Sequence, residues 1–174
     1  MNEKRVAFVG MSMQGKSFLA KSLCKGLTNK GHKTLVFDPL LYKWNCTWQA
    51  KSLNQLLVAS KMKQHKNSHI FIDECGDIDC IGRGNQAKPF HYFATRSRHD
   101  GHSVYFIMQR GEQIEKTMRD QIDHLYLFQV DFEDAEIWAK RFNLPILKEA
   151  THLKKYHYFE SVKGQGAKIC KLKL

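Results

Sequence analysis

The chain has 174 residues, 43% of them hydrophobic, with 28 Lys and Arg against 17 Asp and Glu, a formal net charge of +11. That length suits one domain with its own core, and no apolar stretch approaches the roughly 20 residues that cross a bilayer, so no intrinsic membrane segment is expected. So basic a chain is expected to meet a polyanion, nucleic acid first and an anionic membrane surface second.

In chain order, residues 5–9 (RVAFV) are a short apolar run that ends at Gly10. Residues 16–27 place apolar side chains at 18, 19, 23 and 27, a helical spacing. Residues 34–37 (TLVF) read as a strand stopped by Asp38-Pro39. Residues 53–62 read as a helix, and 70–72 as a buried strand running into Asp73-Glu74. Residues 90–98 look helical and end near Gly101. Strands follow at 104–108, ending at Gln109-Arg110, and at 125–130. Residues 135–142 are helical, with Pro145 just beyond, and 156–162 and 167–172 flank Lys163-Gly164-Gln165-Gly166 in a hairpin pattern.

Strands alternating with helices imply an α/β fold with a mainly parallel central sheet flanked by helices. The C-terminal β-hairpin is expected as an antiparallel edge addition. One domain over 1–174 follows, with a core at about 4–130 and a C-terminal helix and hairpin at 131–174. The five cysteines, at 24, 46, 75, 80 and 170, match no disulfide framework. The N-terminus has no signal-peptide layout, so a reducing, cytoplasmic compartment is expected, and a virus particle assembled there would look the same.

Gly10-Met11-Ser12-Met13-Gln14-Gly15-Lys16-Ser17 fits G-x-x-x-x-G-K-[ST] in full. Gly10 and Gly15 let the backbone turn so that several N–H groups face one phosphate. Met11, Ser12, Met13 and Gln14 are expected to contribute backbone only. Lys16 reaches the β- and γ-phosphates, and the Ser17 hydroxyl ligates Mg²⁺. The helix that starts at Lys16 and continues through Phe18 aims its positive end at the same anion. An apolar strand ahead of the loop and a helix behind it supply the context that the motif needs.

The strand ending in Asp73-Glu74 is expected to lie beside the phosphate loop. Asp73 would then hold the Mg²⁺ shell, and Glu74 would polarise an attacking water as general base. A second acid favours hydrolysis over transfer to an acceptor, which places a nucleotide or small-molecule kinase last among the alternatives. Asp38, Asp77 and Asp79 read as loop residues. A strand ending in Gln109 beside the one carrying Glu74 would put an amide near the γ-phosphate. Arg96 and Arg98 lie at a helix end and its following turn, where either could neutralise charge in a neighbouring subunit's site.

The phosphate loop, the strand ending in Asp-Glu, the Arg98-His99-Asp100-Gly101 turn and the strand ending in Gln109 together resemble the FtsK–HerA superfamily. Within it, the chain is similar to the compact viral genome-packaging ATPases. Residues 118–128 resemble that group's final core strand, and the resemblance covers about 4–130. It implies a RecA-like P-loop core, a homo-oligomeric ring (commonly a hexamer), ATP and Mg²⁺ as cofactors, and DNA driven through the centre into a capsid at its portal vertex. It also implies Lys16 and Ser17 on nucleotide and metal, Asp73 and Glu74 as metal ligand and base, Gln109 as sensor, and Arg96 or Arg98 as trans finger. The same signatures occur in the zonular-occludens-toxin-like assembly ATPases of filamentous phages. The absence here of the transmembrane helix expected of many of those favours packaging.

Three weaker patterns complete the reading. Residues 76–88 form a basic loop in which Arg83 and Lys88 could touch DNA phosphates without sequence preference. His65, His69, Cys75 and Cys80 invite a zinc site, but that set would fold the Asp73 strand around the metal. Residues 41–48 interleave aromatics with a base, and packing on a core edge is the favoured role over base stacking.

Overall fold

The computed structural model describes residues 3–75, 87–111, 114 and 116–173, apart from the side chains of Ala87 and Lys88. Eight strands form one sheet in the order β3-β2-β4-β5-β1-β6-β7-β8. They are β1 (Arg5–Val9), β2 (Thr34–Phe37), β3 (Trp48–Ala50), β4 (His69–Ile72), β5 (Ser103–Met108), β6 (His124–Leu127), β7 (His157–Val162) and β8 (Ala167–Lys171). The first six pair in parallel, and β7 and β8 are antiparallel.

Every residue of β1, β2 and β4 is buried. Strands covered on both faces must be apolar throughout, and RVAFV, TLVF and HIFI nearly are. Alternate residues feed two cores. Ala7, Leu35, Ile70 and Val104 face α2 (Leu53–Lys61), α3 (Ala87–His91) and α5 (Phe132–Phe142). Val6, Phe8, Val36 and Phe71 face α1 (Lys16–Asn29), whose Ala20 and Cys24 pack into them. The short α4 (Lys116–Arg119) precedes β6. Ser52 caps α2 by accepting from the Gln55 N–H at 3.2 Å, and Asp131 caps α5 by accepting from the Asp134 N–H at 2.9 Å.

The structure departs from expectation in three places. The Asp73 strand is not next to the strand that feeds the phosphate loop, because β5 lies between β4 and β1. Strand order is set by crossover connections, which local sequence does not encode. Strand β3 carries no sequence signal, because three residues are too few to show a period. The 90–98 helix continues from α3 as a π-turn at Tyr92–Arg96 and a 3-10 turn at Ser97–Asp100, closed by Gly101 at φ 76°. Pro145 lies just beyond α5, as expected, and starts a 3-10 helix over Pro145–His152, where its fixed φ suits the first turn.

Candidate nucleotide site

Parallel strands deliver their C-terminal ends to one edge of the sheet, and there β1 runs into Gly10, β4 into Asp73 and β5 into Gln109. The inserted β5 sets Gln109 between the phosphate loop and the acid pair.

The loop needs both glycines. Gly10 has φ 155°, and a Cβ on it would stand 2.6 Å from the Phe128 Cβ. Gly15 has φ 101°, and a Cβ there would collide with the Leu172 side chain and lie 3.2 Å from Tyr156 Cδ1. Gly15→Ala is therefore expected to cost about 1–2 kcal/mol of stability from the left-handed backbone alone. Denaturant unfolding checks this, and nucleotide titration of the same variant should show weakened binding.

The Lys16 ammonium is buried and folds back to donate to the Met11 carbonyl at 2.8 Å. Burial lowers its pKa, against the opposing pull of Glu74 and Asp73. Met11 N–H donates to the Gln129 carbonyl at 2.9 Å, which ties the loop to the end of β6. Gln14 corrects the backbone-only expectation, because its side-chain amide donates to Gln129 Oε1 at 3.0 Å. Gln129 in turn reaches the Thr151 carbonyl at 3.4 Å. Met11, Met13 and Phe18 are exposed at the mouth, and Met13 is itself left-handed at φ 62°.

Across the site, Ser17 Oγ lies 3.4 Å from Asp73 Oδ1. The same oxygen accepts from the Glu74 N–H at 2.9 Å. Burial pushes the Asp73 carboxyl up to about 6, and the nearby charges of Asp38 and Glu74 add to the rise, while hydrogen bonds from Glu74 and Ser17 oppose it. Glu74 adopts φ 51°, a strained conformation for a residue with a Cβ. It is held by flanking backbone bonds from Asp73 N–H to Phe37 and from Cys75 N–H to Ile107, at 2.9 and 3.0 Å. The Gln109 amide points at Glu74 Oε2 from 3.5 Å.

Ser12, Lys16, Ser17, Glu74 and Gln109 line one open cavity of about 370 Å³. Lys155 and Tyr156 complete its wall. Both come from the segment assigned to the C-terminal appendage, and no motif marks them. Two larger clefts, of about 620 and 510 Å³, lie beside α2 and α5, away from these strand ends. Asp38 stays structural, because its carboxylate accepts from the Trp44 indole and the Leu40 N–H, both at 2.9 Å. Trp44 is buried against Phe71, which settles the 41–48 aromatics in favour of packing at that position.

Arg96 and Arg98 are not at this site. Their segment precedes β5, so it sits at the opposite end of the sheet, about 20 Å away along a six-residue strand. Arg98 pairs with Asp123 and also donates to the Gln121 carbonyl at 3.4 Å, whereas Arg96 is exposed. The segment is fastened by Arg5, whose buried guanidinium donates to the Ala94 carbonyl, the His102 carbonyl and Ser97 Oγ at 3.0–3.1 Å. Arg83, Cys80, Asp77 and Asp79 lie outside the described residues, as does the side chain of Lys88. Of the remaining zinc candidates, His69 pairs with the Tyr105 hydroxyl at 2.9 Å and the Cys75 thiol faces the Ile72 carbonyl at 3.2 Å.

A largely parallel sheet ending in this glycine loop, with the acid pair two strands away and a glutamine between, defines a P-loop nucleoside triphosphatase fold. The chain belongs to the zonular occludens toxin (Zot) family, whose model matches residues 40–172. Among solved structures it is similar to the genome packaging NTPase B204 from Sulfolobus turreted icosahedral virus 2 in complex with AMPPCP. That likeness has 21% identity, all of both chains covered and a TM-score of 0.81. It is also similar to the N-terminal domain of zonular occludens toxin from Neisseria meningitidis, at 14% identity, 92% and 93% coverage and a TM-score of 0.58. No curated protein matches the sequence. At these identities the solved structures speak for the fold, and the resemblance to compact viral packaging ATPases holds at that level.

Proposed function

We propose that this protein is an ATP-hydrolysing motor that drives DNA into a preformed viral capsid, acting in the host cytoplasm as a homo-oligomeric ring docked on a capsid or portal vertex protein. The observation that carries the ATPase reading is the convergence of Lys16, Ser17, Glu74 and Gln109 on one cavity, with the buried Asp73 carboxylate directly behind Ser17 and Glu74. Packaging rather than another task is supported by end-to-end correspondence with B204 and by the +11 charge.

The backbone N–H groups of 12–17 and the Lys16 ammonium hold the polyphosphate. Ser17 and Asp73 offer a hydroxyl and a carboxylate 3.4 Å apart, a hard-oxygen pair that fits Mg²⁺ when phosphates and water fill the other positions. When bound, the ion neutralises charge on the β- and γ-phosphates. The crowding of Asp38, Asp73 and Glu74, which raises the Asp73 carboxyl, is the electrostatic vacancy such a cation relieves. Glu74 takes a proton from the attacking water, and the Gln109 amide, one strand nearer the loop, orients that water or reads the γ-phosphate. Because Arg98 is engaged by Asp123, Arg96 is the better placed of the two to enter a neighbouring subunit's site.

Steady-state hydrolysis with and without double-stranded DNA tests the reading. We expect DNA to stimulate turnover, and Lys16→Ala to abolish nucleotide binding and hydrolysis together. DNA affinity should fall steeply with salt, by about 10³-fold or more between 50 and 200 mM if six or more phosphates are contacted. The family match favours a second reading, a morphogenesis ATPase that acts at a membrane through an anchoring partner. Among the described residues no helix is long and apolar enough to cross a membrane. Sedimentation with anionic vesicles in the absence of DNA binding would put that reading first.

A further inference from the structure

Part of the wall of the nucleotide cavity, beside the phosphate loop, comes from residues that no motif assigns. Tyr156 stands in the turn between the 3-10 helix and β7, with φ 66°. Two contacts hold this costly conformation in place. Its carbonyl accepts from the Leu172 N–H at 2.9 Å, beyond the end of β8. Its ring edge packs against Gly15, close enough that even a Cβ there would crowd it. The hairpin thus presents an aromatic ring to the cavity beside the first turn of α1.

The geometry of a phosphate loop says what lies there. Phosphates seated at the loop beside Lys16 and Ser17 leave the remainder of the cavity, walled by Phe18 and Tyr156, for the rest of a nucleotide. Phe18 is 45% exposed and lines the same cavity. The Lys155 ammonium lies 5.0 Å from the Tyr156 ring centroid. An exposed lysine over the ring marks a face open to a flat or cationic partner, and a surface contact of this kind is worth only about 0.5–1 kcal/mol, so it is displaceable.

We propose that Tyr156 is the base-binding residue of this site: its ring stacks on the base of the bound nucleotide, displacing the Lys155 ammonium, which then turns toward the phosphates. The assignment rests on the ATPase reading and extends it. The C-terminal hairpin becomes part of the nucleotide site, and the nucleotide bridges α1 to β7 and β8.

The test is direct binding of ATP and of inorganic tripolyphosphate to the full chain, for the wild type, Tyr156→Ala, Tyr156→Phe and Lys16→Ala. Loss of a base-stacking ring is expected to weaken ATP binding about 5- to 100-fold. Tripolyphosphate, which has no base, should bind Tyr156→Ala as it binds the wild type, and Tyr156→Phe should keep wild-type affinity for both. Equal weakening of both ligands in Tyr156→Ala would mean that the ring only supports Gly15, and would overturn the proposal. So would unchanged ATP affinity in that variant while Lys16→Ala loses binding. A wild-type chain that binds neither ligand would instead overturn the ATPase reading beneath it.

Discussion

Glu74→Gln should bind ATP and Mg²⁺ with near wild-type affinity and hydrolyse ATP about 10²–10⁴-fold more slowly, the range that a positioned general base contributes. The substitution keeps the shape of the side chain and removes its ability to take a proton. It should also leave the fold intact. The strained φ of 51° at this position is imposed by backbone bonds on either side, from Asp73 N–H to Phe37 and Cys75 N–H to Ile107, which the new side chain does not touch. The Glu74 N–H bond to Asp73 Oδ1 also survives, since it comes from the main chain. Single-turnover hydrolysis beside equilibrium nucleotide binding separates the two effects. Turnover at the wild-type rate would remove Glu74 from the chemistry and return the site to nucleotide binding alone.

Asp73→Asn is expected to do two opposite things: abolish metal-dependent hydrolysis and stabilise the ligand-free protein at neutral pH. The folded-state carboxyl titrates at about 6, above its ordinary 3.8, because it is buried and faces Asp38 and Glu74. The folded protein therefore holds a proton that the unfolded chain has released. The stability this provides is full below about pH 4 and is lost as pH rises through about 6. At pH 7 and above, the buried carboxylate costs up to about 3 kcal/mol, as an upper bound from the size of the shift. Asparagine cannot ionise, so the gap between variant and wild type should open across that pH window. Urea unfolding of both proteins at intervals from pH 4 to 8, without nucleotide or metal, reads it. Other titrating groups are common to the pair and largely cancel. Saturating MgATP should close or reverse the gap, because the cation restores a partner to the carboxylate. A flat difference across the window would show that Asp73 is better solvated than its 4% exposure implies. This is a site whose function is bought with stability, a common arrangement where a buried charge awaits a ligand.

Local pattern carried most of the chain's chemistry. The G-x-x-x-x-G-K-S loop, the helix after it and the strand ending in Asp73-Glu74 are legible because each depends on neighbours within a few residues. Phosphate binding needs consecutive N–H groups and a glycine at each bend, and a buried parallel strand needs an unbroken apolar run. The hairpin at 157–171 was legible for the same reason: a Gly-rich turn between two strand-length runs.

The failures share the opposite cause. The strand ending in Gln109 does lie beside the one carrying Glu74, as expected, but nothing in 103–108 says that it also separates that strand from β1. Nothing near residue 98 announces Asp123, 25 positions later, as the partner that occupies Arg98. The role of Arg5 as the buried anchor of the Ala94–Ser97 segment is equally invisible, since an arginine opening an apolar strand reads as a surface charge. Gln14 and Gln129 find each other across 115 positions.

The sequence alone determined the glycine loop at Gly10–Ser17 and the strand that ends in Asp73-Glu74, because both are short runs whose backbone geometry is local. Only the tertiary structure decided which further groups surround that loop: Gln129 behind it, and Lys155 and Tyr156 from the far end of the chain closing the cavity. Those neighbours depend on sheet order and long-range pairing, which are fixed by the packing of the whole molecule and not by any run of residues within it.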